Sequence, residues 1–406
     1  MTVKNLNIIN NIQNEYFNNS LIKKLIKKNK KLEKKIFENI NSENQTLNVL
    51  SRKYKFNFKI KELKKFLKFK TVAIIGMGGS ILGSKSMYYM FKDKIKKKFY
   101  FFDDIDSKKI SSFKKKEKMK DVLFIVVSKS GTTVETLSIF LDLKILKKNA
   151  KNIIIISEKK NNPLRTISKK FRLYFVEHKI NIGGRYSVLS EVGIIPAYLM
   201  GLDVIKLRST LLEFLKGKKK LFLMDSVVKL ACLLKNNKIK NIIFLNYAPE
   251  LEKFLFWCQQ LIAESLGKRN KGFLPTISNV PKDHHSLLQL YLDGTKNKIF
   301  YIFSVKKYIK RKINTKGILE NKEKFLNKKN LEDIKNAQKN ALIKVFKNKK
   351  IPYRNFELRN VNELVLGELF SYFILETILI GKLIEINPYN QPAVELVKTI
   401  TKKLLN

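Results

Sequence analysis

A chain of 406 residues, 44% of them hydrophobic, has room for two globular domains. Its formal charge of +49 suggests an anionic partner, yet only nine of the 83 basic residues are Arg, the side chain favoured for bidentate phosphate and guanine recognition. The lysines are spread along the whole chain, so a solvated surface is expected and no nucleic-acid partner. Cys232 and Cys258 both lie in apolar stretches, which excludes a disulfide scaffold and argues against a zinc site. The start, MetThrValLysAsnLeuAsn, shows no apolar core behind basic residues. Glu191, Asp203, Glu376 and Lys382 interrupt the most apolar segments, so no bilayer span and no membrane partner are expected. The expectation is a soluble cytoplasmic protein.

Along the chain, residues 18–40 place Leu21, Leu25, Leu32 and Ile36 at helical spacing between lysines, which predicts an amphipathic surface helix. Apolar runs follow at 71–75, 99–102, 122–127 and 153–156, each succeeded by a polar, helix-like stretch. That alternation predicts a parallel sheet with right-handed crossovers. A second series begins near 241 with AsnIleIlePheLeu and continues with IlePheTyrIlePhe at 299–303. The boundary is expected within 205–220, where LysGlyLysLysLys breaks the pattern. Two doubly wound α/β units result.

Six constellations stand out, in chain order. Gly76-Met77-Gly78-Gly79-Ser80 joins the first strand to a helix. A dinucleotide fingerprint needs Gly or Ala at 81, where Ile81 stands, and a Walker A loop needs Lys at 84, where Ser84 stands. What remains is a glycine turn able to approach a ligand, with Ser80 expected at a helix N-cap. The run 122–127 then ends in Ser128-Lys129-Ser130-Gly131-Thr132-Thr133 before another helix. Hydroxyls, a glycine turn and a helix N-terminus suit a phosphate monoester. Both loops would face the carboxyl edge of one sheet, where open α/β sheets bind ligands.

Gly183-Gly184-Arg185-Tyr186-Ser187 fixes a guanidinium in a chain that otherwise prefers Lys. The fourth constellation is a helix expected at about 249–266, with Pro249 near its start and Gly267 near its end. Gln260 and Glu264 stand four apart on one face, and Glu264 is a candidate base. Asp283-His284-His285-Ser286 holds two of the three histidines. Adjacent side chains point apart and make a poor metal pair, so one catalytic His beside a bystander is expected. Last, Asn387-Pro388-Tyr389-Asn390-Gln391-Pro392-Ala393-Val394-Glu395 leads into a C-terminal helix, with Gln391 and Lys398 seven apart on one face.

Taken together, these segments resemble the glucose-6-phosphate isomerase family, of the shorter bacterial type, over about residues 70–400. The mild departures are Asn390, where the family often has Asp, and Ala393, where it often has Gly. The resemblance implies two sugar-isomerase (SIS) domains, each a three-layer α-β-α unit around a parallel sheet. They would span 61–208 and 209–386, with a helical segment over 1–60 and a C-terminal helix over 387–406 completing the site. It implies interconversion of glucose 6-phosphate and fructose 6-phosphate through an enediolate, without metal or organic cofactor. Ser128, Lys129, Ser130, Thr133 and Thr136 would hold the phosphate, and Gly79 and Ser80 would line the site. His285 would open the sugar ring, supplied across the interface of a homodimer, with Lys398 close by. Glu264 would move the proton between C2 and C1. Arg185 would stabilise the enediolate, and Gln260 and Gln391 would position the substrate. The rival is a non-catalytic sugar-phosphate-binding protein of the same fold.

Overall fold

The computed structural model describes residues 5–307, 310–316, 318 and 325–405. The first four residues, part of the start inspected for a targeting segment, lie outside the described residues.

Two five-stranded sheets organise the chain. The first contains β2 (Thr71–Ile75), β3 (Lys98–Phe102), β4 (Val122–Val127), β5 (Ile153–Ser157) and β6 (Tyr174–Glu177), all parallel, in the order β3-β2-β4-β5-β6. Every residue of β4 is buried, as its unbroken ValLeuPheIleValVal sequence requires of a central strand with helices on both faces. The chain reverses its direction of growth between β2 and β4, in register Ile75↔Val126. The loops after these two strands therefore leave the sheet side by side at its switch point. The backbone there is tight: a Cβ on Gly76 would lie 2.9 Å from the carbonyl oxygen of Val127.

The second sheet contains β7 (Asn241–Asn246), β8 (Leu274–Asn279), β9 (Lys298–Val305) and β10 (Tyr353–Leu358) in parallel. It also contains β1 (Leu6–Asn11), which pairs antiparallel with β10 at the edge, Ile8 opposite Phe356. The order is β1-β10-β9-β7-β8. Four strands escape the sequence pattern. β1 mixes three Asn with its apolar residues, β6 is short, β8 carries Pro275, and β10 carries Arg354 in place of an apolar residue. Arg354 is wholly buried and ion-paired with Glu376 at 2.9 Å. It also donates to Tyr301 Oη at 2.9 Å, Asn10 Oδ1 at 2.8 Å and Tyr372 Oη. That network supplies the partners a buried charge needs.

Three helices fasten the halves together. The helix Asn19–Asn41 is capped by Asn18, whose side chain accepts from the Leu21 amide at 3.0 Å. It packs on Gly217–Asn236 and Glu363–Leu383 through Leu25, Ile36 and Ile40. The LysGlyLysLysLys run opens the helix Gly217–Asn236. Glu363–Leu383 corrects the reason for expecting no bilayer span, that charges leave no segment long and apolar enough. By length and composition it is apolar enough to cross a membrane, despite Glu376 and Lys382. It is a core helix, 94% of its most apolar stretch being buried, and Glu376 is tolerated there by its bond to Arg354. Both cysteines are free and buried.

Candidate active site

The phosphate-type loop follows β4. Ser128 is buried, its Oγ 2.9 Å from Thr133 Oγ1 and accepting from the Gly131 amide at 3.2 Å. Ser130 Oγ accepts from the Thr132 amide at 3.3 Å. Gly131 has φ +69°, a conformation that disfavours any side chain, and a Cβ there would overlap Asn162 Oδ1. The helix Val134–Asp142 starts directly after Thr133, which makes no side-chain cap bond. The first-turn amides keep their donors for an anion. Thr136 is fully buried and its hydroxyl has no hydrogen-bond partner among the described residues. Lys129 Nζ donates to the Ile180 carbonyl at 2.7 Å. Burial draws its pKa down, and Glu158 opposes that while Lys160 and Arg185 reinforce it.

The glycine loop after β2 leaves the sheet beside this one. Gly78 has φ +53°, and a Cβ on it would stand 2.5 Å from Gln260 Nε2. A Cβ on Gly79 would overlap the Gly184 carbonyl. Glycine is therefore required for two backbones to meet here. Ser80 is buried but is no N-cap. It closes a 3-10 turn, Gly78–Ser80, and Ile81 precedes the helix Leu82–Met90.

Arg185, 2% exposed, is the hub. Its Nε donates to Ser265 Oγ at 2.8 Å. Its Nη1 donates to Glu264 Oε2 at 3.1 Å and Gln391 Oε1 at 2.8 Å. Its Nη2 donates to the carbonyls of Pro388 at 2.6 Å and Asn390 at 3.2 Å. With every donor engaged, the guanidinium has one orientation. Glu264 lies in the last turn of the helix Glu252–Leu266. Its second oxygen, Oε1, accepts from Gln260 Nε2 at 2.9 Å, so the expected one-face pairing is formed. The Glu264 side chain is 31% exposed, open to a ligand from one side. Sequence reasoning passed over Ser265, Tyr186 and Trp257, which brace the hub. Tyr186 Oη bonds the Pro388 carbonyl at 2.8 Å, and Trp257 Nε1 donates to the Arg185 carbonyl at 3.1 Å. Their signal was present: Ser265 and Tyr186 sit inside motifs, and Trp257 is the chain's one Trp.

Two expected residues lie apart from the hub. His285 is exposed at the end of the turn Lys282–His285 after β8. Asp283 shapes that turn, accepting from the Asn279 amide at 2.8 Å and Ser278 Oγ at 3.0 Å. His284 points elsewhere, its Nε2 3.0 Å from Tyr247 Oη. Burial, with the charge of His285, lowers its pKa. Lys398 is exposed on the helix Ala393–Leu404, 2.8 Å from Glu395 Oε1. Among the described residues no hydrogen bond or ion pair joins His285 or Lys398 to Glu264 or Arg185. The third histidine, His178, is buried with Nδ1 3.0 Å from the Lys179 carbonyl, and desolvation lowers its pKa to about 4. Among the described residues no three His, Cys, Asp or Glu side chains gather as a metal cluster.

The sequence pattern of the family described as Phosphoglucose isomerase matches residues 18–406. The chain belongs to the phosphoglucose isomerase family. Curated relatives agree. The chain is similar to "Glucose-6-phosphate isomerase" of Methanocaldococcus jannaschii, 33% identical over 348 residues, 83% of this chain and 84% of that one. It is also similar to "Glucose-6-phosphate isomerase" of Campylobacter jejuni, 31% identical over 358 residues, 83% of this chain and 86% of that one. Among solved structures, a glucose-6-phosphate isomerase from Chlamydia trachomatis superposes with a TM-score of 0.76 at 18% identity, covering 100% of this chain and 89% of that one. The hypothetical protein TT0462 from Thermus thermophilus reaches 0.80 at 23% identity, covering 98% of this chain and 100% of that one. These two share the fold. The family match begins at the first residues of the Asn19–Asn41 helix and runs through the Arg185 hub to the C-terminal helix.

Proposed function

We propose that this chain interconverts glucose 6-phosphate and fructose 6-phosphate in the cytoplasm, a step of glycolysis and gluconeogenesis. The observation that carries this reading is the Glu264 carboxylate, fixed between Arg185 and Gln260 beside two ligand loops at a sheet switch point. Aldose–ketose interconversion moves a proton between adjacent carbons next to a carbonyl, and one positioned carboxylate suffices. Glu264 takes the proton from C2 and returns it at C1. Arg185 lies within hydrogen-bond reach of that carboxylate, and its positive charge stabilises the enediolate oxygens. Gln391 shares Nη1 of Arg185 and orients the sugar from the opposite loop. Ser128, Lys129, Ser130, Thr133 and Thr136 hold the phosphate with the amides of the Val134–Asp142 helix, and Gly79 and Ser80 line its edge.

In this reading His285 opens the cyclic sugar in the active site of a partner subunit of a homodimer. Its exposure supports that role. So does the C-terminal helix, whose Leu396 (67%), Val397 (66%) and Ile400 (47%) stand exposed on one side. Packing that helix in the dimer would bring Lys398 toward a site. No metal enters the scheme, and activity is expected to survive chelation.

The deciding experiment is a coupled assay converting fructose 6-phosphate to glucose 6-phosphate, run with and without EDTA on protein whose mass is measured by light scattering. Turnover in both conditions, by a dimer, is expected. Binding of the sugar phosphate without turnover would support the non-catalytic alternative instead. Activity lost to EDTA and restored by zinc would overturn the metal-free scheme.

A further inference from the structure

From the contacts around the end of the Glu252–Leu266 helix, we infer that Lys268 is a positioning residue for the reaction. It clamps the loop carrying Gln391 to the helix carrying Glu264. The inference rests on the isomerase reading above.

Gly267 ends that helix, its amide bonding the Ala263 carbonyl at 2.8 Å. The chain then turns back, and Lys268 projects across the turn. Its Nζ donates to the Ser265 carbonyl at 2.9 Å and to the Asn387 carbonyl at 2.7 Å. The first bond holds the residue immediately after Glu264. The second holds the first residue of the loop whose next carbonyls, Pro388 and Asn390, anchor Nη2 of Arg185. Gln391, four residues on, accepts from Nη1. One ammonium group thus ties together the base, the guanidinium and the loop, which are otherwise distant in sequence. It also places a positive charge at the negative end of the helix.

The ammonium works only while protonated. Burial draws its pKa down to about 8, the charge of Arg185 adds to this, and Glu264 opposes it. From the loop side, Tyr389 and, behind it, Tyr186 are neutral, burial holding both phenols above their usual range. A base with a lowered pKa keeps its charge below that value and loses it as pH rises through it. The clamp is therefore mostly charged at pH 7 and weakens as pH rises through about 8.

The test is the pH dependence of kcat and KM for fructose 6-phosphate. Wild type is expected to show kcat falling on the alkaline side of about pH 8. Lys268→Met should lower kcat at pH 7 by about tenfold or more, the scale of one charged hydrogen bond, and abolish that limb. KM should change little, because the phosphate is held by other loops. Lys268→Arg should restore most of kcat and move the limb upward. A Lys268→Met enzyme with wild-type kcat at pH 7, or with the alkaline limb unaltered, overturns the inference. A wild type without isomerase activity overturns the functional reading itself, which is a different result from an active enzyme indifferent to Lys268.

Discussion

In the proposed reaction Glu264 and Arg185 divide the chemistry between one proton carrier and one fixed charge. Removing the carrier while keeping shape is the sharpest check. Glu264→Gln should retain the bond to Gln260 and lower kcat by roughly 10²–10⁴-fold, the range for a general base, with substrate binding preserved. Retention of most activity would remove Glu264 from the role. The two histidines make a second contrast. His285 is exposed and unengaged by its own chain's site, whereas His284 is tied to Tyr247. His285→Ala should slow turnover of the cyclic sugar, and His284→Ala should do much less. Equal damage from both, measured by stopped-flow on the two anomers, would cancel the assignment.

At the scale of elements, the two loops depend on glycines more than on their hydroxyl-bearing neighbours. Gly131 combines φ +69° with a position where an added Cβ would overlap Asn162 Oδ1, and the Asn162 side chain also caps the helix Pro163–Lys170. Gly131→Ala forces a strained backbone and displaces that cap, two effects of about 1 kcal/mol each. The expected result is a KM for fructose 6-phosphate raised by up to about thirtyfold, the two effects together being about 2 kcal/mol and 1.4 kcal/mol a factor of ten, with kcat less affected. An unchanged KM in a folded variant would move the phosphate to another element.

For the molecule as a whole, the second half is pinned by a buried charge pair. Arg354 links β10 to β1 through Asn10, to β9 through Tyr301, and to the core helix through Glu376. Glu376→Gln leaves the guanidinium buried without its counter-charge, a loss of about 3–5 kcal/mol in unfolding free energy. Urea denaturation should show it as a lower midpoint, while the kcat of the folded protein stays near wild type because Arg354 is not among the Arg185 contacts. A midpoint unchanged by the substitution would mean that the surrounding hydroxyls suffice for Arg354.

Apolar runs and local motifs were legible in the sequence because their causes are local. β4 is buried on both faces, so every residue is apolar. Gly78 and Gly131 require positive φ, and a helix face brings Gln260 to Glu264 over four residues. The order of the six motifs carried the family. Ser80 was misplaced because a 3-10 turn and a helix start look alike in sequence. β1 was invisible because its six residues gain their partner only from β10, more than 340 positions away. β10 was hidden by Arg354, which reads as polar until Glu376 is placed against it. The Arg185 hub joins residues 79 and 206 positions apart, distances over which sequence spacing says nothing about contact. Local sterics and periodicity fixed which groups this chain owns. Long-range burial and hydrogen bonding decided which of them meet, with Glu264, Arg185 and Gln391 together in one chain and His285 and Lys398 facing outward.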